Sequence, residues 1–279
     1  MKKKIIGLFL ILGIGATTFA QEYVSPTYKE WVAKSATYME QNQLDSAEYA
    51  LNQAIMSDPK NKNNPWLMTS LGSIQQLLGK YDAAYISLTA ALNKSPESAF
   101  VLHQRADLLM DMERWDDARA DYNTILKNDS LDIEALYNRG VLKLEMNDRV
   151  GAQKDFEVAA KHGEYSPYGL LGNALIHRLN EEWEEAEKIY TSILNEYPQM
   201  TDIYLKRAEC YLHMGQLSKL SSDLQAVAST EFANPTFYFL RGQLRLEQYD
   251  KVAAKDDFER AKELGMDSEV LQPWIEKTK

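Results

Sequence analysis

The side chains able to bind metals or move protons are few and scattered. His103, His162, His177 and His213 are the only histidines, and no two stand four residues apart on one helix. An i,i+4 imidazole pair is therefore missing, and with it the usual helical metal site. Cys210 is the only cysteine, so no intramolecular disulfide or dithiol pair can form. No glycine-rich phosphate loop, H-E-x-x-H, C-x-x-C or G-x-S-x-G occurs. The acid run Glu181-Glu182…Glu184-Glu185 falls on the outer side of an amphipathic helix, where carboxylates are simply solvated. These residues predict no catalytic centre, no cofactor, no metal and no enzyme.

The elements that carry these residues are helical. Residues 65–98 show it best, with Leu71, Leu78, Tyr81, Leu88 and Ala91 at spacings of three and four and no period-2 alternation. Gly79-Lys80 fits a tight turn between two helices, and Pro96 stops the second one, because it lacks the N–H the ladder needs. Small residues at Gly72 and Ala84 let the two helices approach closely. Such a pair cannot bury its apolar face alone, so it requires neighbours of the same kind.

The spacing resembles the 34-residue tetratricopeptide repeat (TPR), W-x2-L-G-x2-Y, then A-x3-F, then P. Starts at 65, 99, 133, 167, 201 and 235 restore a small residue at the eighth place: Gly72, Ala106, Gly140, Ala174, Ala208 and Gly242. The twentieth place reads Ala84, Ala118, Ala152, Ala186, Leu220 and Ala254; four later stand Leu88, Tyr122, Phe156, Tyr190, Leu224 and Phe258. A seventh unit lies upstream at 28–61, with Trp31, Tyr38, Ala47, Leu51, Ala54 and Pro59 in register. The segments beginning at Arg139 and Arg241 are close copies of each other. Cys210 takes a place held elsewhere by Ile74, Leu108 and Leu142, so it reads as a small core hydrophobe. Trp115 and Trp183 take equivalent places beside the inter-helix turn and read as packing residues. His177 takes a place that holds Tyr38, Leu109 and Tyr211 elsewhere, a packed position.

The resemblance implies an all-α, right-handed superhelical solenoid of seven TPR helix-turn-helix repeats (28–61, 65–98, 99–132, 133–166, 167–200, 201–234, 235–268) with a short C-terminal capping helix over 269–279. Ser268 is the expected cap of that last helix, Trp274 packs on the seventh repeat, and Pro273 calls for a kink or a short first turn. Residues 21–27 form an N-terminal arm. In this family the first helix of each pair lines a concave face that holds a peptide or a partner helix. Carried over by register, that groove comprises Trp66, Phe100, His103, Asp107, Tyr137, Val141, Tyr168, Leu171, Leu175, Leu205, Glu209 and Phe239. The places where chaperone-docking relatives carry clamp lysines and asparagines hold Val32, Ala36, Thr69, Ser70, Phe100 and Gln104, so an acidic C-terminal tail is not the ligand. Asp107, Asp111, Glu134, Glu145 and Glu209 favour a mixed apolar and basic segment instead.

Met1–Ala20 reads differently. Lys2–Lys4 are basic, Ile5–Ile14 is apolar, and Thr18-Phe19-Ala20 is a small-residue cleavage site: a bacterial-type secretory signal cut between Ala20 and Gln21. No cysteine stands near the cut, which argues against a lipoprotein anchor. The expectation is an exported protein, periplasmic or secreted, with no stable membrane insertion after cleavage. The net formal charge of −10 argues against nucleic acid and anionic lipid as partners. The reading is a non-enzymatic protein-binding scaffold or adaptor of the cell envelope. The alternatives are a structural subunit docking by its convex face or ends, and a glycan or cell-wall polymer binder using Trp66, Phe100, Tyr137 and Tyr168. Asp45-Ser46-Ala47 and Asp129-Ser130-Leu131 also resemble a short O-glycosylation signal of exported Bacteroidetes proteins.

Overall fold

A computed structural model describes residues 25–229 and 234–279. The signal segment and Ala20–Gln21 cleavage site expected from the sequence, and most of the expected arm, lie outside the described residues. Among them the chain is helical throughout, with fifteen helices and no strand: α1 (Pro26–Glu40), α2 (Leu44–Ser57), α3 (Asn64–Leu77), α4 (Tyr81–Lys94), α5 (Ala99–Asp111), α6 (Trp115–Asn128), α7 (Ile133–Glu145), α8 (Arg149–His162), α9 (Pro167–Leu179), α10 (Trp183–Glu196), α11 (Thr201–His213), α12 (Leu217–Val227), α13 (Pro235–Glu247), α14 (Lys251–Glu263) and α15 (Ser268–Lys277). Pro26 already opens α1, so helix begins inside the segment expected as an arm. None of these helices is long and apolar enough to cross a membrane.

Each odd-numbered helix from α1 to α13 is the first of a pair, and its partner follows after a turn of one design. The first helix ends when one residue enters the left-handed region: Asn42, Gly79, Glu113, Asn147, Glu181, Gly215 and Tyr249, with φ between 55° and 73°. The next residue's N–H then reaches back five residues, as in Lys80 to the Gln75 carbonyl and Gln216 to the Tyr211 carbonyl, both 2.8 Å. This closure satisfies carbonyls that the helix end would otherwise leave open. Only two of the seven positions use glycine, so the others accept the steric cost of a side chain there.

The chain packs as two compact units, 1–147 and 148–279. In the first, Ala84, Leu88, Leu102, Ala106, Leu109, Ala118, Tyr122 and Ile125 form one core, and Tyr28, Ala47, Leu51, Leu71 and Ile74 form another toward the amino end. A Cβ at Gly72 would come within 2.6 Å of Leu88 Cγ, which explains the need for a small residue there. In the second unit, Leu205, Ala208, Tyr211, Leu220, Leu224 and Phe237 form the matching core. Cys210 is fully buried within this unit, its Sγ near the Lys206 carbonyl at 3.4 Å. Burial pushes its thiol up to about 12, so it is a packed hydrophobe with no thiolate at neutral pH.

A buried ion pair recurs that the apolar pattern does not reveal. Arg105 on α5 donates from Nε and Nη2 to both oxygens of Asp121 on α6, at 2.8 and 2.6 Å, and from Nη1 to Thr89 Oγ1 on α4. Three repeats later Arg207 does the same with Asp223 (2.8 and 2.7 Å) and Thr191. Arg241 grips Asp257 at 3.0 and 2.7 Å, with Arg245 adding a second cation. Each arginine thus ties a first helix to its own partner, and in two cases also to the preceding helix. The planar guanidinium suits this task because it fills a carboxylate's two oxygens at once.

The chain ends on α15. Asp267, not Ser268, is its cap, accepting from the Glu269 N–H at 2.8 Å. Helix continues through Pro273. Leu271 is buried against Ala254, Phe258 and Ala261, and Trp274 packs beside it, covering apolar surface that the seventh repeat would otherwise leave open.

Candidate partner-binding face

The candidate face is built from the first helices, whose register places one stripe of each toward its neighbours. In the first unit that stripe is polar and aromatic. Trp66 on α3 is 54% exposed, its ring 5.8 Å from Phe100 on α5 at a 34° tilt. Phe100, His103 and Asp107 follow at i, i+3 and i+7 and so share one side of α5. Tyr137 and Val141 on α7 are half-buried.

Beneath these residues runs a seam of hydrogen bonds between consecutive first helices. Ser73 donates to Gln104 at 3.0 Å, and Gln76 donates to Asp111. His103, 9% exposed, contacts the Asp132 carboxylate through Nε2 at 3.1 and 3.2 Å. Asp132 meanwhile caps α7 by accepting from the Ala135 N–H at 2.8 Å. The His103 ring lies 6.4 Å from that of Tyr122, whose hydroxyl reaches Asp107 at 3.4 Å. Burial alone would depress the His103 pKa. The Asp132 contact and the nearby Glu134 and Asp107 carboxylates outweigh it, so the imidazole sits above its ordinary range. Burial would likewise raise Asp132, but the His103 and Ala135 N–H contacts hold its carboxyl low.

In the second unit leucines take three of the buried places of that stripe. Leu171, Leu175 and Leu205 are 4%, 9% and 4% exposed, so they shape the face from beneath. Arg178 pairs with Glu209 across the α9–α11 step. Tyr168 is half-buried. Phe239 is covered by Trp274 of α15 at a centroid distance of 5.9 Å. Consecutive first helices approach closely enough to bury most fifth and ninth places, which is why His103 and three leucines lie inside the seam. His177 is half-buried and bonds Glu182 through Nδ1 at 2.5 Å, while Trp183 stacks flat on His213 at 3.8 Å. Both tryptophans by the turns are packed, Trp115 against the first core.

Asp132 is the participant that sequence reasoning misses. Its role as an N-cap is legible from its position before an apolar helix, but its reach to His103, one repeat back, is not. Among the described residues no cluster of histidine, cysteine, aspartate and glutamate is arranged to hold a metal.

Comparison with known proteins agrees with this architecture. A family model described as a tetratricopeptide repeat-like domain matches residues 14–148. A crystal structure of a tetratricopeptide repeat protein from Parabacteroides merdae is 32% identical, covers 91% of this chain and 99% of its own, and superposes with a TM-score of 0.69. The Cut9–Hcn1 hetero-tetramer of the APC/C gives a TM-score of 0.71 at 10% identity, over 98% of this chain and 52% of that one. PilW, a type IV pilus biogenesis factor, gives 0.57 at 18% identity, over 76% and 98%. These last two likenesses are of fold alone. The curated DnaJ homolog subfamily C member 7 homolog of Dictyostelium discoideum is 21% identical over 90% of this chain. This chain spans about half, 51%, of that relative's length. With paired helices in one repeating register and a relative at 32% identity over nearly its full length, the chain belongs to the tetratricopeptide repeat family.

Proposed function

We propose that the protein is a non-enzymatic scaffold or adaptor of the cell envelope that holds a segment of a protein partner along its first helices. The observation that carries this reading is the Trp66–Phe100 pair. A tryptophan ring 54% exposed beside a second aromatic on the next repeat is costly to leave in water. Aromatic anchors of this kind dominate protein interfaces energetically. Tyr137, Val141 and Asp107 extend the surface across α5 and α7. The signal-like Met1–Ala20 supports export to the periplasm or beyond. A partner pull-down from envelope extract with the mature chain, repeated with Trp66→Ala/Phe100→Ala, tests it. A specific protein recovered by the parent and lost with the folded double variant is the expected result; equal recovery by both removes this face from the interface.

A second reading has its own observation. Tyr49, Met56 and Ile86 on α2 and α4 are 58%, 70% and 68% exposed, an apolar surface on the second helices of the first two repeats. It suits a subunit that docks by its outer face. Tyr49→Ser/Ile86→Ser would then abolish recovery that Trp66→Ala/Phe100→Ala leaves intact.

A further inference from the structure

The second helices of repeats one to three carry an outward stripe that the later repeats do not share. At the twenty-second place α2 and α4 hold Tyr49 and Ile86, 58% and 68% exposed, and α6 holds an exposed Ala120. The same place holds Lys154, Lys188, Ser222 and Asp256 in the later repeats, so the fold itself asks for no apolar side chain there. The stripe stays uncharged one turn on, at Asn52, Thr89 and Asn123, and Met56 closes it on α2, 70% exposed. Lys80, just before α4, reaches Asp45 and Glu48 of α2 at 3.1 and 2.7 Å. Arg105 bridges Thr89 of α4 and Asp121 of α6. The three helices therefore run side by side.

Charge frames this stripe with one polarity. Asp45, Asp82 and Asp116 stand in the first turns of the three helices, and Lys94 and Lys127 in the last turns of α4 and α6. Asp45 shares Lys80, and Asp116 shares Arg119 at 2.6 Å. Asp82, Lys94 and Lys127 have no such partner among the described residues. Acid at the first turn and base at the last suit each helix's own dipole. The same polarity gives the face an acidic edge, an uncharged middle and a basic edge.

We propose that this face binds a second copy of the chain about a two-fold axis running across the second helices, so that α4 lies antiparallel on α4 of the copy. The proposal rests on the outer-face reading above and names the partner for it. A two-fold contact needs a patch that complements itself, and reversal supplies that here. It sets Asp82 opposite Lys94 of the partner subunit and Asp116 opposite Lys127 of the partner subunit, with Tyr49 and Ile86 sealed between the charged edges. Antiparallel pairing also opposes the helix dipoles. Three helices about 10 Å apart, each offering about 17 Å of stripe, cover roughly 1,000 Å² over both copies, the lower edge of specific interfaces. Such a dimer forms and dissociates with concentration.

The test is sedimentation velocity of the mature chain across a roughly hundredfold concentration range spanning the micromolar. The parent should pass from monomer to dimer. Ile86→Lys, which copies the lysine at this place in repeats four and five, should weaken the dimer at least about tenfold and leave the melting curve unchanged. Asp82→Lys/Asp116→Lys and Lys94→Glu/Lys127→Glu each set like charges against each other at both edges, so each alone should stay monomeric. Mixed in equal amounts they should dimerise, because every reversed edge then meets its opposite. A parent that stays monomeric throughout, an Ile86→Lys variant that dimerises like the parent, or a mixture that stays monomeric overturns the second-copy interface. A monomeric parent that still recovers a different protein from envelope extract, lost with Tyr49→Ser/Ile86→Ser, overturns the copy and leaves the outer-face reading standing. Recovery indifferent to that variant removes the outer-face reading as well.

Discussion

The two units of this chain solve the same packing problem with different side chains on one face. On the inside they match closely. Arg105 with Asp121 and Thr89 in the first unit is reproduced by Arg207 with Asp223 and Thr191 in the second. On the first-helix face they part. Thr69, Ser73, Gln76 and His103 in the first unit correspond in register to Leu171, Leu175, Arg178 and Leu205 in the second. Packing alone explains the three leucines, because buried leucines need no partners. The polar set needs hydrogen bonds for its buried groups, and Ser73–Gln104, Gln76–Asp111 and His103–Asp132 supply them across helices. What the fold requires is common to both units.

The largest expected effect tests the common part. Arg105→Met and Arg207→Met each strand an aspartate only 4% exposed, and each should cost about 3–5 kcal/mol in urea denaturation. Arg105→Met/Asp121→Leu should recover most of that loss, since it removes the stranded charge. A small loss for one arginine and a large one for the other would break the equivalence of the two staples.

Close helix approach comes next. Alanine at Gly72 or Gly242 places a Cβ 2.6 Å from Leu88 Cγ or Phe258 Cε1 and should cost about 1–3 kcal/mol by overpacking. Gly169→Ala should be the worst of the three, because its Cβ would meet the Gly163 carbonyl oxygen at 2.1 Å and backbone yields less readily than a side chain. Melting temperatures that rank Gly169→Ala as the mildest would contradict this geometry.

The pH dependence separates the two faces. A His103 pKa raised by its carboxylate neighbours adds stability that is complete below about pH 6.5, the unfolded value, and is lost as pH rises through the folded value. A depressed Asp132 adds stability that is complete above about pH 4 and is lost as pH falls through its folded value. The pair therefore helps most between those limits. His103→Leu, which copies Leu205, should flatten this profile across neutral pH, read from urea midpoints. An unchanged profile would mean that His103 does not titrate differently on folding.

The smallest effect concerns the turns. Glu113 and Tyr249 hold φ values of 56° and 63° where Gly79 and Gly215 hold 73° and 68°. Glu113→Gly and Tyr249→Gly should each raise stability by about 0.5 kcal/mol, the relief of a strained side chain less glycine's extra chain entropy. A loss in either variant would show that the side chain contributes a contact of its own.

Much of the repeat architecture was legible because its signals are local. Gly79, Pro96 and the small residues Gly72 and Ala84 mark one helix pair without reference to anything distant. The copies from Arg139 and Arg241 show that the unit recurs. The face was legible only in part. Trp66 and Phe100 do present their rings, but Leu171 and Leu205 lie inside the seam, because burial depends on how near the next repeat's first helix comes. The staple was invisible for a related reason: Arg105 and Asp121 look like ordinary exposed charges on an amphipathic helix until both helices are in place.

The amino-acid sequence by itself determined the helices, their 34-residue register and the small-residue contacts within each pair, since these follow from side-chain spacing along one chain. Only the tertiary structure decided which polar residues are buried, that Asp132 reaches His103, and that Trp274 covers Phe239. Those outcomes depend on distances between helices, which spacing along a single chain does not contain.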